Sequence, residues 1–308
     1  MRASSARTRG SRRSVDGAHV LYHYLQKDLL RSDIWLFQML TARLIVGLGV
    51  WLPPSLYGQL PVMLPYAVRD PTSRGDPRRG VPDQWGSPNK EGYFRDDNSL
   101  IKNIPKSLTI SAEGNSLYRG ARIGKGFVAA HVWRESTVDG VLASRHPLTY
   151  SFVPNIVWLP AQVAKLTDRE GSFVQGYLQA LSHKIYSSYQ VEPAFQPMVE
   201  EIWDRLPMPG GIPEQGLPDV DDLNFFDVSD SFVSRRRSSI RVVRDAVDAL
   251  LAGRDPEGKV ISSRYTEGLP EVAPDALKVL RANVDALLPS PEGSTNERAE
   301  QARRGSRP

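Results

Sequence analysis

The most apolar window of this chain, Ile34 to Leu52, contains Gln38, Thr41, Arg43 and two glycines, and it stops at Pro53-Pro54. A membrane span over this window would bury Arg43 near its centre, at a cost of roughly 2.5–3.5 kcal/mol. The window therefore reads as a buried helix of a soluble domain, with no membrane partner and a cytoplasmic location. The 308 residues are 40% apolar and 24% charged, which suits a folded chain with a real core and excludes a collagen or a coiled coil. No cysteine is present, so a disulfide scaffold, a zinc finger and a cysteine nucleophile are excluded. Histidine chemistry must use one of His19, His23, His131, His146 and His183.

The net charge of +4 is unevenly spread. Residues 1–13 carry five arginines and no acid, and the chain ends in a second polar, basic stretch. Both ends lack apolar periodicity, which predicts disordered tails over 1–17 and 289–308. Asp16, His19, His23, Lys27 and Asp28 follow the first arginines where a secretory signal would need an apolar core.

Between the tails, a helical segment is expected over 18–57, where Leu21, Leu25 and Leu29, then Leu36, Leu40, Leu44 and Leu48, recur at helical spacing. A core is expected over 58–192. It opens with a proline- and glycine-rich stretch whose Tyr66, Trp85 and Tyr93 suit a long ordered loop. Short strands follow, including Leu117–Ile123 and Gly126–Trp133, then Asn155–Leu159 and a helix from Ala161 broken near Gly171. A proline-rich connector and helices near 197–206, 232–252 and 272–288 complete the chain over 193–288. The fold class is α+β.

Phosphate loops, dinucleotide fingerprints, serine elbows and H-E-x-x-H are absent. The informative stretch is 126–171. His131 closes an apolar run just before Trp133 and Arg134, a loop of some twenty residues follows, and N-I-V-W-L-P (155–160) leads into a helix. This order resembles the ββα-metal nucleases of the HNH type. The resemblance implies a ββα-like unit in which His131 is the general base and Asn155 orients it, with a Mg²⁺ or Mn²⁺ ion neutralising the scissile phosphate of DNA. It also suggests a restriction or defence setting. A neutral imidazole suits the base's role near pH 7, and a hard cation suits phosphate oxygens. Two positions depart from the family pattern. Ala130 replaces the acid or histidine before the base, and Ala164 stands where a helix ligand is usual. Asp168, one helical turn on, and His146 in the loop are the candidate metal ligands.

Other readings stand beside this one. His131 and Asn155 could be hydrogen-bonded structural residues, leaving a non-catalytic nucleic-acid-binding or interaction protein with a degenerate unit, or a structural subunit. Asp96-Asp97 followed by Lys102 weakly suggests a PD-(D/E)xK nuclease, or simply carboxylates capping a turn. Finally, Arg237, Arg241 and Arg244 share one side of the 232–252 helix and, with Arg134, are candidate DNA contacts, or a solvated face.

Overall fold

The computed structural model describes residues 31–288, apart from 74–76, 81–88, 90, 116, 138–139, 168–170, 211, 213–215, 259 and 261–267. Both expected tails, the stripe from Leu21 to Leu29, Trp85 and Asp168 lie outside the described residues. The chain divides into two compact units, 1–43 and 44–308. The first is described only from Arg31, within helix α1 (Arg31–Leu48). Its Trp35, Leu36, Phe37 and Leu40 are exposed, which corrects the expectation that the whole window is buried. Among the described residues no helix is long and apolar enough to cross a membrane.

The second unit is α+β, built on a five-stranded mixed sheet. Its strands are β1 (Val50–Trp51), β4 (Ile110–Ser111), β5 (Phe127–His131), β6 (Ile156–Pro160) and β7 (Asn224–Phe226), in the order β4-β7-β1-β6-β5. Within this sheet β1 and β7 pair in parallel, and β4–β7, β1–β6 and β5–β6 are antiparallel. A parallel two-stranded sheet joins β2 (Ala67–Arg69) to β3 (Phe94–Asp96). The strand β1 falls where the sequence reads as helix. Gly49 ends α1 by donating to Ile45 O, and a Cβ there would sit 2.7 Å from that oxygen. Only glycine can make this exit, and it releases Val50-Trp51, a β-branched and aromatic pair, into the sheet. The expected strand Leu117–Ile123 is instead largely turn, because the Asn115 side chain accepts from Leu117 N and nucleates it.

Short helices α2 (Pro54–Gln59), α3 (Ser99–Asn103), α4 (Pro147–Tyr150) and α5 (Ala161–Ala164) punctuate the loops. The longer ones are α6 (Phe173–Tyr186), α7 (Gln196–Asp204), α8 (Asp230–Leu251) and α9 (Pro274–Asp285). Gly171, at φ +68°, separates α5 from α6. Serine caps open α6 and α8: Ser172 accepts from Gln175 N and Ser229 from Phe232 N.

Both faces of the sheet are covered. Trp51, Val157, Trp158 and Phe226 are all at most 1% exposed, and the Trp158 and Phe226 rings meet edge-on with centroids 5.3 Å apart. Helix α6 is tied to the sheet by two buried hydroxyls: Ser182 donates to Pro154 O (2.6 Å) and Tyr186 to Leu52 O (2.6 Å). These bonds fix the end of the sheet where β6 begins and β5 finishes, which is the end that carries the histidine.

Candidate functional site

His131 is the last residue of β5 and pairs with Ile156, the first of β6. Asn155 therefore sits immediately before the antiparallel partner strand. Its carbonyl accepts from Val132 N (3.0 Å), its Oδ1 accepts from Trp133 N (2.7 Å), and its Nδ2 donates to Thr149 O (2.9 Å). A fully buried amide thus fastens the chain leaving His131 to the chain entering Tyr150. Asn155 positions the loop and points its polar atoms at backbone, where all are satisfied.

His131 is 8% exposed. Its Nε2 lies 3.0 Å from Tyr150 O, and its ring stacks on the Tyr150 ring at 5.5 Å and 24°. A carbonyl can only accept, so Nε2 carries the hydrogen and Nδ1 the free lone pair. Burial pushes the imidazole pKa down to about 4. The Tyr150 carbonyl opposes this, and the Arg69 charge adds to it. The ring is therefore neutral at pH 7.

The Tyr150 hydroxyl donates to Asp96 Oδ2 (2.5 Å), and burial beside that carboxylate pushes its pKa well above the ordinary tyrosine value. Asp96, with no exposed surface, also accepts from Ser99 Oγ (2.8 Å) and Leu100 N (3.0 Å), while Asp97 Oδ1 accepts from Ser99 N. The acid pair thus caps α3 rather than forming an open carboxylate site. Asp96 also joins the histidine network through Tyr150, a link that sequence distance hides. The β2–β3 register places Arg69 directly opposite Asp96. Among the described residues no hydrogen bond or ion pair occupies the Arg69 guanidinium, and its Nε is buried. A buried donor without an acceptor is costly and marks a place where an anion would be welcome. Neither Tyr150 nor Arg69 carries a spacing signal in the sequence.

The other candidates lie elsewhere. His146 is the N-cap of α4, with Nδ1 accepting from Leu148 N (3.3 Å). Its pKa is also pushed down to about 4, chiefly by burial. Its charged neighbours are Arg205 and Glu201, whereas that of His131 is Arg69. No group of three or more His, Asp or Glu that could hold a metal occurs among the described residues.

The arginine face of α8 is corrected by its own periodicity. Arg237 falls four residues after buried Val233 and three before buried Ile240, inside the core-facing stripe. It pairs with Glu192 (2.8 Å) and donates to Gln59 O (2.6 Å). Arg244 bonds Asp245 through Nε and Nη2, leaving Arg241 exposed beside them. Arg134 is half-buried at the start of the loop, where its carbonyl accepts from Ala143 N. Comparison with protein families, with curated proteins and with solved structures finds no match to this chain.

Proposed function

We propose that the chain is an endonuclease that hydrolyses DNA phosphodiester bonds with His131 as its general base, in the cytoplasm and in a restriction or defence setting as the HNH-type resemblance implies. One observation carries the reading: the Tyr150 carbonyl holds the His131 ring in the Nε2–H tautomer, and burial keeps it neutral. In the proposed step Nδ1 takes a proton from water, the water oxygen attacks phosphorus, and the P–O bond to the leaving oxygen breaks. The leaving oxygen is protonated from solvent. A phosphodiester anion beside the ring favours imidazolium and raises the pKa towards neutrality, which strengthens the base as substrate arrives. Arg69, whose buried Nε has no partner among the described residues, is the group that would hold that anion.

The divalent ion implied by the resemblance finds no donor set among the described residues: the Asp96 oxygens are spent on protein donors, and His146 caps a helix. No step is routed through a metal. Asp168, outside the described residues, carries that part of the proposal. Calorimetric Mn²⁺ binding that is lost in Asp168→Ala is the expected result.

The small exposure of His131 favours a second reading, a non-catalytic nucleic-acid-binding or interaction protein. Nicking of supercoiled plasmid with Mg²⁺ or Mn²⁺ separates the two. Nicking lost in His131→Gln, with duplex binding and thermal stability retained, supports hydrolysis. Duplex binding without nicking by the wild type supports the second reading.

A further inference from the structure

A second feature lies at the same end of the sheet as His131. Carried one residue past β1, the pairing registers align Leu52 with Ile156 and Phe226, so that His131, Ile156, Leu52, Phe226 and Ile110 fall in one row across the sheet. Thr109 and Asp227, which flank Ile110 and Phe226, lie one residue beyond this row, past the edge where β5 finishes. There they line an open cleft of about 440 Å³ together with Ser107, Ser229, Arg122 and Arg235. Four strand spacings of ~4.8 Å separate the two edges of the row, roughly 19 Å. That is about half a turn of B-form DNA.

The chemistry of the cleft is specific in charge. Among the described residues no ion pair or hydrogen bond occupies the side chain of Arg122 or Arg235, and both residues are exposed. Asp227 is committed locally, its Oδ2 accepting from the Thr109 hydroxyl (2.8 Å), and Ser229 Oγ accepts from Phe232 N as the cap of α8. Two guanidiniums against one carboxylate leave a net single positive charge. A phosphodiester, which carries one negative charge, balances it, and the fork geometry of arginine matches two phosphate oxygens. Arg235 and Arg237, two residues apart on α8, thus divide: one lines the cleft, the other is consumed by Glu192.

We propose that the Arg122–Arg235 cleft binds a backbone phosphodiester of duplex DNA, about half a turn from the phosphodiester presented to His131. This rests on the DNA reading above. The test is fluorescence anisotropy of a labelled duplex of about two helical turns at several salt concentrations, with wild type and Arg122→Gln/Arg235→Gln. Both arginines are exposed, so the double variant should fold normally.

The expected result is about tenfold weaker binding by the double variant, with the salt slope reduced by about one unit. Unchanged affinity and slope in the double variant overturn the cleft and leave the DNA reading standing. A wild-type protein that does not bind duplex overturns both. Stabilisation by inorganic phosphate that requires the two arginines, without duplex binding, would assign the cleft to a small phosphate ligand and overturn the duplex.

Discussion

The two ends of the row across the sheet solve opposite physical problems. At the β5 end, His131, Tyr150, Asp96 and Asn155 are buried, and nearly all their polar atoms are consumed by partners within the protein. At the β4 end, Arg122 and Arg235 are exposed and hold no partner among the described residues. Buried groups gain a fixed tautomer and orientation from their surroundings, and removing one strands its buried partners at a cost. Exposed arginines contribute almost nothing to stability and remain free for long-range attraction. The contrast predicts that truncations stranding buried partners at the first end damage folding, while substitutions at the second alter binding alone.

Asp96→Ala should break this comparison most visibly. It strands the Tyr150 hydroxyl, the Ser99 hydroxyl and Leu100 N, and should cost about 3–5 kcal/mol in urea unfolding. Arg235→Gln should stay within about 0.5 kcal/mol of wild type in the same assay. Equal effects would mean that the Asp96 network is not a structural anchor.

Acid should expose the same asymmetry. In the unfolded chain an imidazole takes up its proton near pH 6.5, whereas folded His131 resists until about pH 4. Between these values the unfolded state binds more protons, so stability is complete above pH 6.5 and declines as pH falls towards 4. The decline attributable to His131 should reach about 3 kcal/mol, and His131→Gln should flatten that part of the profile. His146 adds a decline of the same sign.

Asn155→Ala should cost about 2 kcal/mol by freeing Trp133 N and Thr149 O. Asn155→Asp keeps the acceptor for Trp133 N but turns a buried carboxylate oxygen towards Thr149 O, so at pH 7 it should cost at least as much as Asn155→Ala by chemical denaturation. The smallest contrast lies within α8. Arg237→Ala should cost about 1–2 kcal/mol through its half-buried bonds to Glu192 and Gln59 O, while Arg241→Ala should be silent.

What the sequence made legible follows from range. The helices α6 to α9 were readable because apolar periodicity and caps are local signals, and the breaker at Gly171 marks itself. The runs ending at His131 and beginning after Asn155 were also readable, each being five residues of strand. The strands β1, β2, β3 and β7 have two or three residues each, too few for a period, whereas β4 shows in the alternation of Leu108 and Ile110. These short strands exist because partners far along the chain supply their hydrogen bonds. The Tyr150–Asp96 contact spans 54 residues and runs through one such strand, so no spacing could announce it. The place of Arg237 is hidden from the sequence for a related reason. An arginine inside an apolar stripe reads as exposed until Glu192, 45 residues away, is seen to neutralise it.

The proposed chemistry depends on the state of one imidazole, and ¹⁵N-edited NMR of the His131 ring between pH 8 and 5 reads it directly. The predicted spectrum shows a neutral ring with hydrogen on Nε2 and a bare Nδ1, unchanged across this range in wild type. A ring that titrates near pH 6.5, or that carries its hydrogen on Nδ1, would contradict the buried, carbonyl-locked base on which the proposed chemistry depends.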